Sequence, residues 1–224
     1  MAGDLLAKDL QGPGRLPTPH RTDWLGPALP KTGRMRNNGI PVRIRKILPS
    51  DEPLLVTFHR GLSDQSVYRR YFHMEGFGAR TSHEQLVREC LIDFANTAFV
   101  AERISTDSAN CEILAVADLD RIGKSRKAEI GLLVGDRYQH QGLGTKLLCS
   151  VIEEAQRQGF EEIVAHILSD NLPMIGLAKS FGFAVCDTED PTVLLATLNL
   201  RSYKCVAETI SNPRPPLHDQ RSRC

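Results

Sequence analysis

Apolar residues alternate with basic ones from Val42 to Ile47, as in a strand with one buried face. Ser50-Asp51-Glu52-Pro53 then supplies a helix start ahead of Leu54 to Leu62, and further helices follow to about residue 93. Three strand-like runs come next, Thr97 to Ile104, Cys111 to Leu119 and Lys127 to Val134, joined by Asp/Ser/Asn-rich and Gly-Lys-Ser turns; they predict an antiparallel meander. Leu143, Leu147, Val151 and Ala155 recur every four residues with Leu148 and Ile152 beside them, the stripe of a helix over 142–158 that Gly159 stops. A strand at Ile163 to Leu168, a helix over 171–181 and strands near 184–187 and 192–198 complete a mixed α/β chain.

The ends read differently. Pro13, Pro17, Pro19, Pro27 and Pro30 fall among glycines and charges, so residues 1–40 are expected to lack regular structure and form a flexible arm. Residues 41–200 form one domain, and 201–224, with Pro213, Pro215 and Pro216, a tail.

Between the third strand of the meander and the long helix stands Gln139-His140-Gln141-Gly142-Leu143-Gly144-Thr145. Glycines without a Cβ let a turn take unusual conformations and let a ligand approach the main chain, and a helix N-terminus offers free amides and a positive dipole end to a phosphate. Two other phosphate motifs are excluded. A P-loop around Gly123-Lys124-Ser125 needs glycine where Asp118 stands, and a dinucleotide fingerprint needs glycine where Leu147 stands. On these glycines alone, a bare turn without ligand is an equally good reading.

With 224 residues, 41% hydrophobic and 25% charged, the chain can bury one full core. Its 28 basic and 27 acidic residues leave a net charge of +1, which gives no reason to expect nucleic acid or an anionic membrane as partner. Arg34-Met35-Arg36 and Arg43-Ile44-Arg45-Lys46 read as solvated faces. The first residues lack the basic-then-apolar pattern of a secretory signal, and no run approaches about eighteen apolar residues; a soluble cytoplasmic protein is expected. Six scattered cysteines, without a Cys-x-x-Cys pair, read mostly as small buried hydrophobes, and the seven histidines show no metal-binding spacing, so no metal is expected.

The loop, the preceding Ala128-Glu129-Ile130-Gly131-Leu132-Leu133-Val134, and the later Asn171-Leu172-Pro173-Met174 and Leu177-Ala178-Lys179-Ser180-Phe181-Gly182-Phe183 together resemble the GNAT acetyltransferase superfamily. Within it, Asp51-Glu52-Pro53-Leu54, Ser66-Val67-Tyr68-Arg69-Arg70-Tyr71-Phe72-His73 and Ala128-Glu129-Ile130 are similar to the GNAT domain of Pat-type protein lysine acetyltransferases. The chain has no counterpart of the large acyl-CoA synthetase-like region often attached in that branch, and its first forty residues are too few for a cyclic-nucleotide domain.

The resemblance implies a GNAT fold, with a mostly antiparallel, splayed mixed sheet flanked by helices. It implies acetyl-CoA as co-substrate, held by Leu133, Val134, Gln139, His140, Gln141, Gly142, Leu143, Gly144, Thr145 and Asn171, with an N–H near Val134 for the carbonyl oxygen. Asn171 also suits a helix N-cap. A lysine amine with a pKa near about 10.4 must lose a proton before it attacks, and Glu129 matches the family's base; its side chain is expected to face the opening beside Val134. Ala178 occupies the position where many relatives carry a tyrosine acid. Tyr68, Tyr71 and His73 suit either the amine's entrance or core packing. The implied function is N-acetyl transfer to a protein lysine, the alternatives being a small-molecule amine acceptor or a noncatalytic acyl-CoA sensor.

Overall fold

The computed structural model describes residues 33–34, 41–74, 76–90, 96–104 and 111–203. Its strands are β1 (Gly33–Arg34), β2 (Pro41–Lys46), β3 (Asn96–Arg103), β4 (Ile113–Arg121), β5 (Lys127–Val134), β6 (Glu162–Leu168), β7 (Ala184–Asp187) and β8 (Val193–Asn199). The helices are α1 (Glu52–Arg60), α2 (Asp64–Tyr71), α3 (Phe77–Arg80), α4 (His83–Cys90), α5 (Leu143–Arg157) and α6 (Leu172–Ser180). The strands form a single sheet in the order β1-β2-β3-β4-β5-β6-β8-β7. β3, β4 and β5 make the expected antiparallel meander, and β5 with β6 is the sheet's parallel pair among the described residues.

Alternation along the strands distributes side chains to two cores. Phe99, Ala101, Ala115, Ala117, Ala128 and Ile130 pack with Leu143, Leu147, Val151 and Ala155 of α5, whereas Ala98, Val100, Val116 and Leu133 pack with Leu55, Phe58 and Val67 of α1 and α2. Burying each large side chain contributes about 1.5–3 kcal/mol. The α5 stripe was legible because all its members point at one sheet face. Gly159, at φ +76°, ends that helix in the left-handed conformation that glycine favours.

Three expectations need correction. β1 lies inside the proline-rich arm, pairing Gly33 with Val42; two residues are too few to show an alternating pattern, and main-chain pairing needs none. The remainder of that arm and the tail beyond Tyr203 lie outside the described residues. The three cysteines whose side chains are described are not buried: Cys111 and Cys149 are half-buried and Cys186 is exposed.

The basic run at Arg43–Lys46 is not simply a solvated face either. The Arg45 side chain is 13% exposed and bridges Asp51, at 2.6 Å, and Glu102, at 2.8 Å. Asp51 also accepts from the Leu48 amide at 2.8 Å, so it braces the turn before α1 instead of capping that helix with its side chain. Burial works to raise the Glu102 carboxyl, but hydrogen bonds from Arg45 and Arg43 outweigh it and hold the group below its ordinary value. The sequence alternation places Arg45 beside the first helix, where carboxylates from two other elements await it.

A second ionic clasp ties α5 to the sheet. Glu154, 7% exposed at its side chain, receives Lys46 at 2.9 Å together with Arg157 and Gln158. Burial would raise its carboxyl, yet the hydrogen bonds of Arg157, Gln158 and Lys46 bring it down to about 2. A depressed carboxyl stabilises the fold above its unfolded value of 4.5, and that stability disappears as pH falls towards about 2. Urea titrations should therefore show stability falling by on the order of 3 kcal/mol across that interval on account of this group. The E154Q variant should lose correspondingly less.

Candidate active site

The parallel pairing of β5 with β6 covers only Lys127–Glu129 against Glu162–Val164. Beyond it the strands part. Gly135 N donates to Leu114 O at 2.9 Å and Ile122 N to Lys127 O at 2.9 Å, which fixes the antiparallel alternation with β4: odd-numbered residues of β5 turn their main chain to β4, even-numbered ones away from it. The amides of Leu132 and Val134 consequently face the gap.

A groove of about 220 Å³ occupies that gap. It is lined by Leu132, Leu133 and Val134, by the loop residues Tyr138, Gln139, His140, Gly142, Leu143, Gly144 and Thr145, by Asn171, Pro173, Met174 and Leu177, and by Ser66, Arg69 and Arg70. Nine of the ten residues expected to hold the co-substrate, Leu133, Val134, Gln139, His140, Gly142, Leu143, Gly144, Thr145 and Asn171, thus meet around one space. Gln141 is not among them, because its Nε2 turns back to donate to Arg137 O at 2.8 Å.

Gly142 and Gly144 do different work. Gly142 sits at φ +84° with open space around its missing Cβ, so its role is conformational. A Cβ on Gly144 would stand 3.2 Å from Leu177 Cδ2 and 3.4 Å from Leu132 Cδ2; here the absent side chain lets α5 settle against β5 and α6. Gly142 is the N-cap of α5 and supplies no side-chain cap, which leaves the first-turn amides and the positive dipole end directed at the groove. At the start of α6, Asn171 accepts from the Met174 amide at 3.3 Å while lining the groove, so it caps and lines at once.

The wall formed by α2 is stitched in place. Asp136 accepts from Ser63 N at 2.9 Å, Ser63 Oγ at 2.6 Å and Ser66 Oγ at 3.0 Å. Burial would raise its carboxyl, but these hydrogen bonds prevail and lower it. Gln139 Nε2 donates to Ser66 Oγ at 3.1 Å and to Val134 O at 3.2 Å, joining loop, helix and strand end. Sequence reasoning missed this wall, apart from the resemblance of its residues to a family segment. Leu132 was recoverable by counting back two from Val134, and Met174 and Leu177 by helical spacing from Asn171.

Glu129 needs a correction. Strand alternation puts it with Gly131 and Leu133 on the α1/α2 face, opposite Val134, and it does not line the groove. It stands on the last paired rung, opposite Val164, where the gap begins. Its Oε1 accepts from His166 Nδ1 at 2.8 Å, and the two side chains are 46% and 44% exposed. Two residues on, Gly131 makes room for the ion pair of Arg70 with Asp118, 2.7 Å long. Ala178 is 1% exposed within the core, and Tyr68 is 42% exposed while Tyr71 packs against the α1/α2 core.

Among the described residues no group of three His, Cys, Asp or Glu side chains is arranged to hold a metal, and no helix is long and apolar enough to cross a membrane.

A sequence model described as the Acetyltransferase (GNAT) family matches residues 65–183. The acetyltransferase Pat of Mycolicibacterium smegmatis is 28% identical over 158 residues, covering 70% of this chain and 45% of its own length; the chain spans about half of that relative. The crystal structure of the GNAT domain of S. lividans PAT matches with a TM-score of 0.65 and 26% identity, over 75% of this chain and 96% of that one. The Paia N-acetyltransferase of Thermoplasma acidophilum, in complex with coenzyme A, matches in fold with a TM-score of 0.56 and 21% identity, over 70% and 98% of the two chains.

The two glycines should respond differently to enlargement. Gly144→Val crowds Leu177 and Leu132 and is expected to lower stability by about 1–3 kcal/mol in denaturant titrations. Relieving the crowding with Leu177→Ala should recover part of that loss in the double variant. Gly142→Val meets no neighbour, so its cost of about 1–2 kcal/mol is backbone strain, which no second substitution relieves.

Proposed function

The chain belongs to the acetyltransferase (GNAT) family, and from that premise we propose that it transfers an acetyl group from acetyl-CoA directly to an amine, with a protein lysine as the favoured acceptor. The observation that carries the reading is the convergence of the Leu132 and Val134 amides with the uncapped start of α5 on one groove. The α5 amides suit the coenzyme's diphosphate, and the β5 edge suits its pantetheine arm.

Glu129 acts as base. The acceptor ammonium gives it a proton, and the neutral nitrogen then attacks the thioester carbon. Negative charge on the carbonyl oxygen is met by the Val134 N–H, a kind of donor worth about 3–4 kcal/mol. Collapse breaks the C–S bond, and the nitrogen's second proton passes to water as the amide forms. With Ala178 in place of a tyrosine and buried, the thiolate takes its proton from water, and Glu129 returns the other to solvent. A thiol with a pKa near about 8.5 needs little help to leave.

A protein acceptor is supported by the half-exposed carboxylate of Glu129, which a lysine on a folded surface can approach, and by the likeness to the S. lividans and M. smegmatis Pat proteins. Labelled acetyl-CoA supplied with a lysate should mark protein lysines; label entering small amines alone would favour the small-molecule acceptor, and coenzyme binding without any transfer a sensor.

Glu129→Gln should lower kcat/KM by about a hundredfold or more near neutral pH. That deficit should shrink as pH approaches the pKa of the acceptor amine, because a neutral amine needs no base. Coenzyme A affinity, read by calorimetry, should be retained in this variant and weakened roughly tenfold in Gly142→Val.

A further inference from the structure

Three ionisable side chains cross one face of the sheet, one from each of three neighbouring strands. Asp120 on β4 is directly opposite Glu129 on β5 in the antiparallel register. Glu129 in turn is paired with Val164 on β6, and His166, two residues further along the same face, meets it at 2.8 Å. An ionised carboxylate only accepts, so His166 Nδ1 carries the hydrogen and donates it to Oε1, leaving Oε2 for the acceptor.

We propose that Asp120 and His166 act through Glu129 as positioning residues, so that the base is the row Asp120–Glu129–His166: His166 fixes the carboxylate and favours its ionised form, and Asp120 holds a negative charge beside it that favours proton uptake. The inference rests on Glu129 being the base in the acetyl transfer proposed above.

The surroundings give the row this balance. Lys127, two residues before Glu129, is engaged by Glu162 at 2.7 Å. Arg70 from α2 is engaged by Asp118 at 2.7 Å, and Asp118 is hydrogen-bonded to Asp120 along β4. The β8 residues paired with Val164 and His166 are Thr197 and Leu195, which carry no charge. Among the charged side chains named, Asp120 and His166 are the two that flank Glu129 on its neighbouring strands. The Asp120 carboxyl is pushed up to about 6, first by burial of the carboxyl although the residue as a whole is exposed, then by the negative charges of Asp118 and Glu129, against the pull of Arg70. Asp120 and Glu129 are cross-strand neighbours, so a change of charge on one is felt by the other, and the acid limb of the rate profile reads that effect.

The sign of each contribution differs, and that difference is the test. In Asp120→Asn, Glu129 loses a like charge, so the acid limb of the kcat/KM profile should move to lower pH. In His166→Phe, it loses its donor, so the limb should move to higher pH, and His166→Gln, which retains an N–H donor, should recover part of the shift. A purely structural loss would lower kcat/KM at every pH and leave the limb in place, and that result in both Asp120→Asn and His166→Phe would overturn the proposal. Carboxyl-carbon NMR gives a readout independent of turnover: the Asp120 midpoint near 6 should fall in Glu129→Gln. An unchanged midpoint overturns the coupling. Absence of transfer by the native protein with a falling midpoint would instead overturn the acetyltransferase reading while the row stands.

Discussion

The parting of β5 from β6 after Glu129 is the constraint on which the site depends. Main-chain amides and carbonyls inside a sheet require partners, and a strand that loses its neighbour offers those groups to whatever enters the space. Because α5 is the connection between the two parting strands, its start falls at the same opening, and the helix's unpaired amides join those of the strand. Grip and gap therefore come from one topological event. The two cores keep the event fixed, since α5 holds one face of β5 while α1 and α2 hold the other.

The chemistry is divided by the pleat of a single strand. Even positions of β5 turn their side chains to the α5 face and their main chain to the opening; odd positions carry Glu129 and Leu133 to the opposite face. A ligand lying in the gap thus has the peptide edge alongside it and the carboxylate at the end where the strands converge. The expectation that Glu129 looks out beside Val134 failed for this reason: five residues apart on a strand means opposite faces, and proximity to the opening arises only because the neighbouring strand has left.

Much of the architecture was legible because it rests on short-range periodicity. The α5 stripe, the meander and the glycine stop at Gly159 are local patterns that the tertiary structure did not override. The loop residues were legible as a set through their resemblance to a family, though the separate duties of Gly142 and Gly144 were not; one depends on φ and the other on side chains that arrive from β5 and α6. What stayed hidden was long-range. Arg45 looked solvated because its partners Asp51 and Glu102 come from other elements, and the Ser63, Ser66 and Asp136 brace joins segments that nothing in local sequence connects.

The glycine at 131 has a bearing on two other positions. A methyl group there would stand 2.5 Å from an Arg70 nitrogen and 2.7 Å from an Asp118 oxygen, so the ion pair lies over that one bare backbone position. Any side chain at residue 131 makes the guanidinium shift from its seat, while removal of the arginine opens the space. Positions 70, 118 and 131 are accordingly tied by space alone, although they lie on three separate elements.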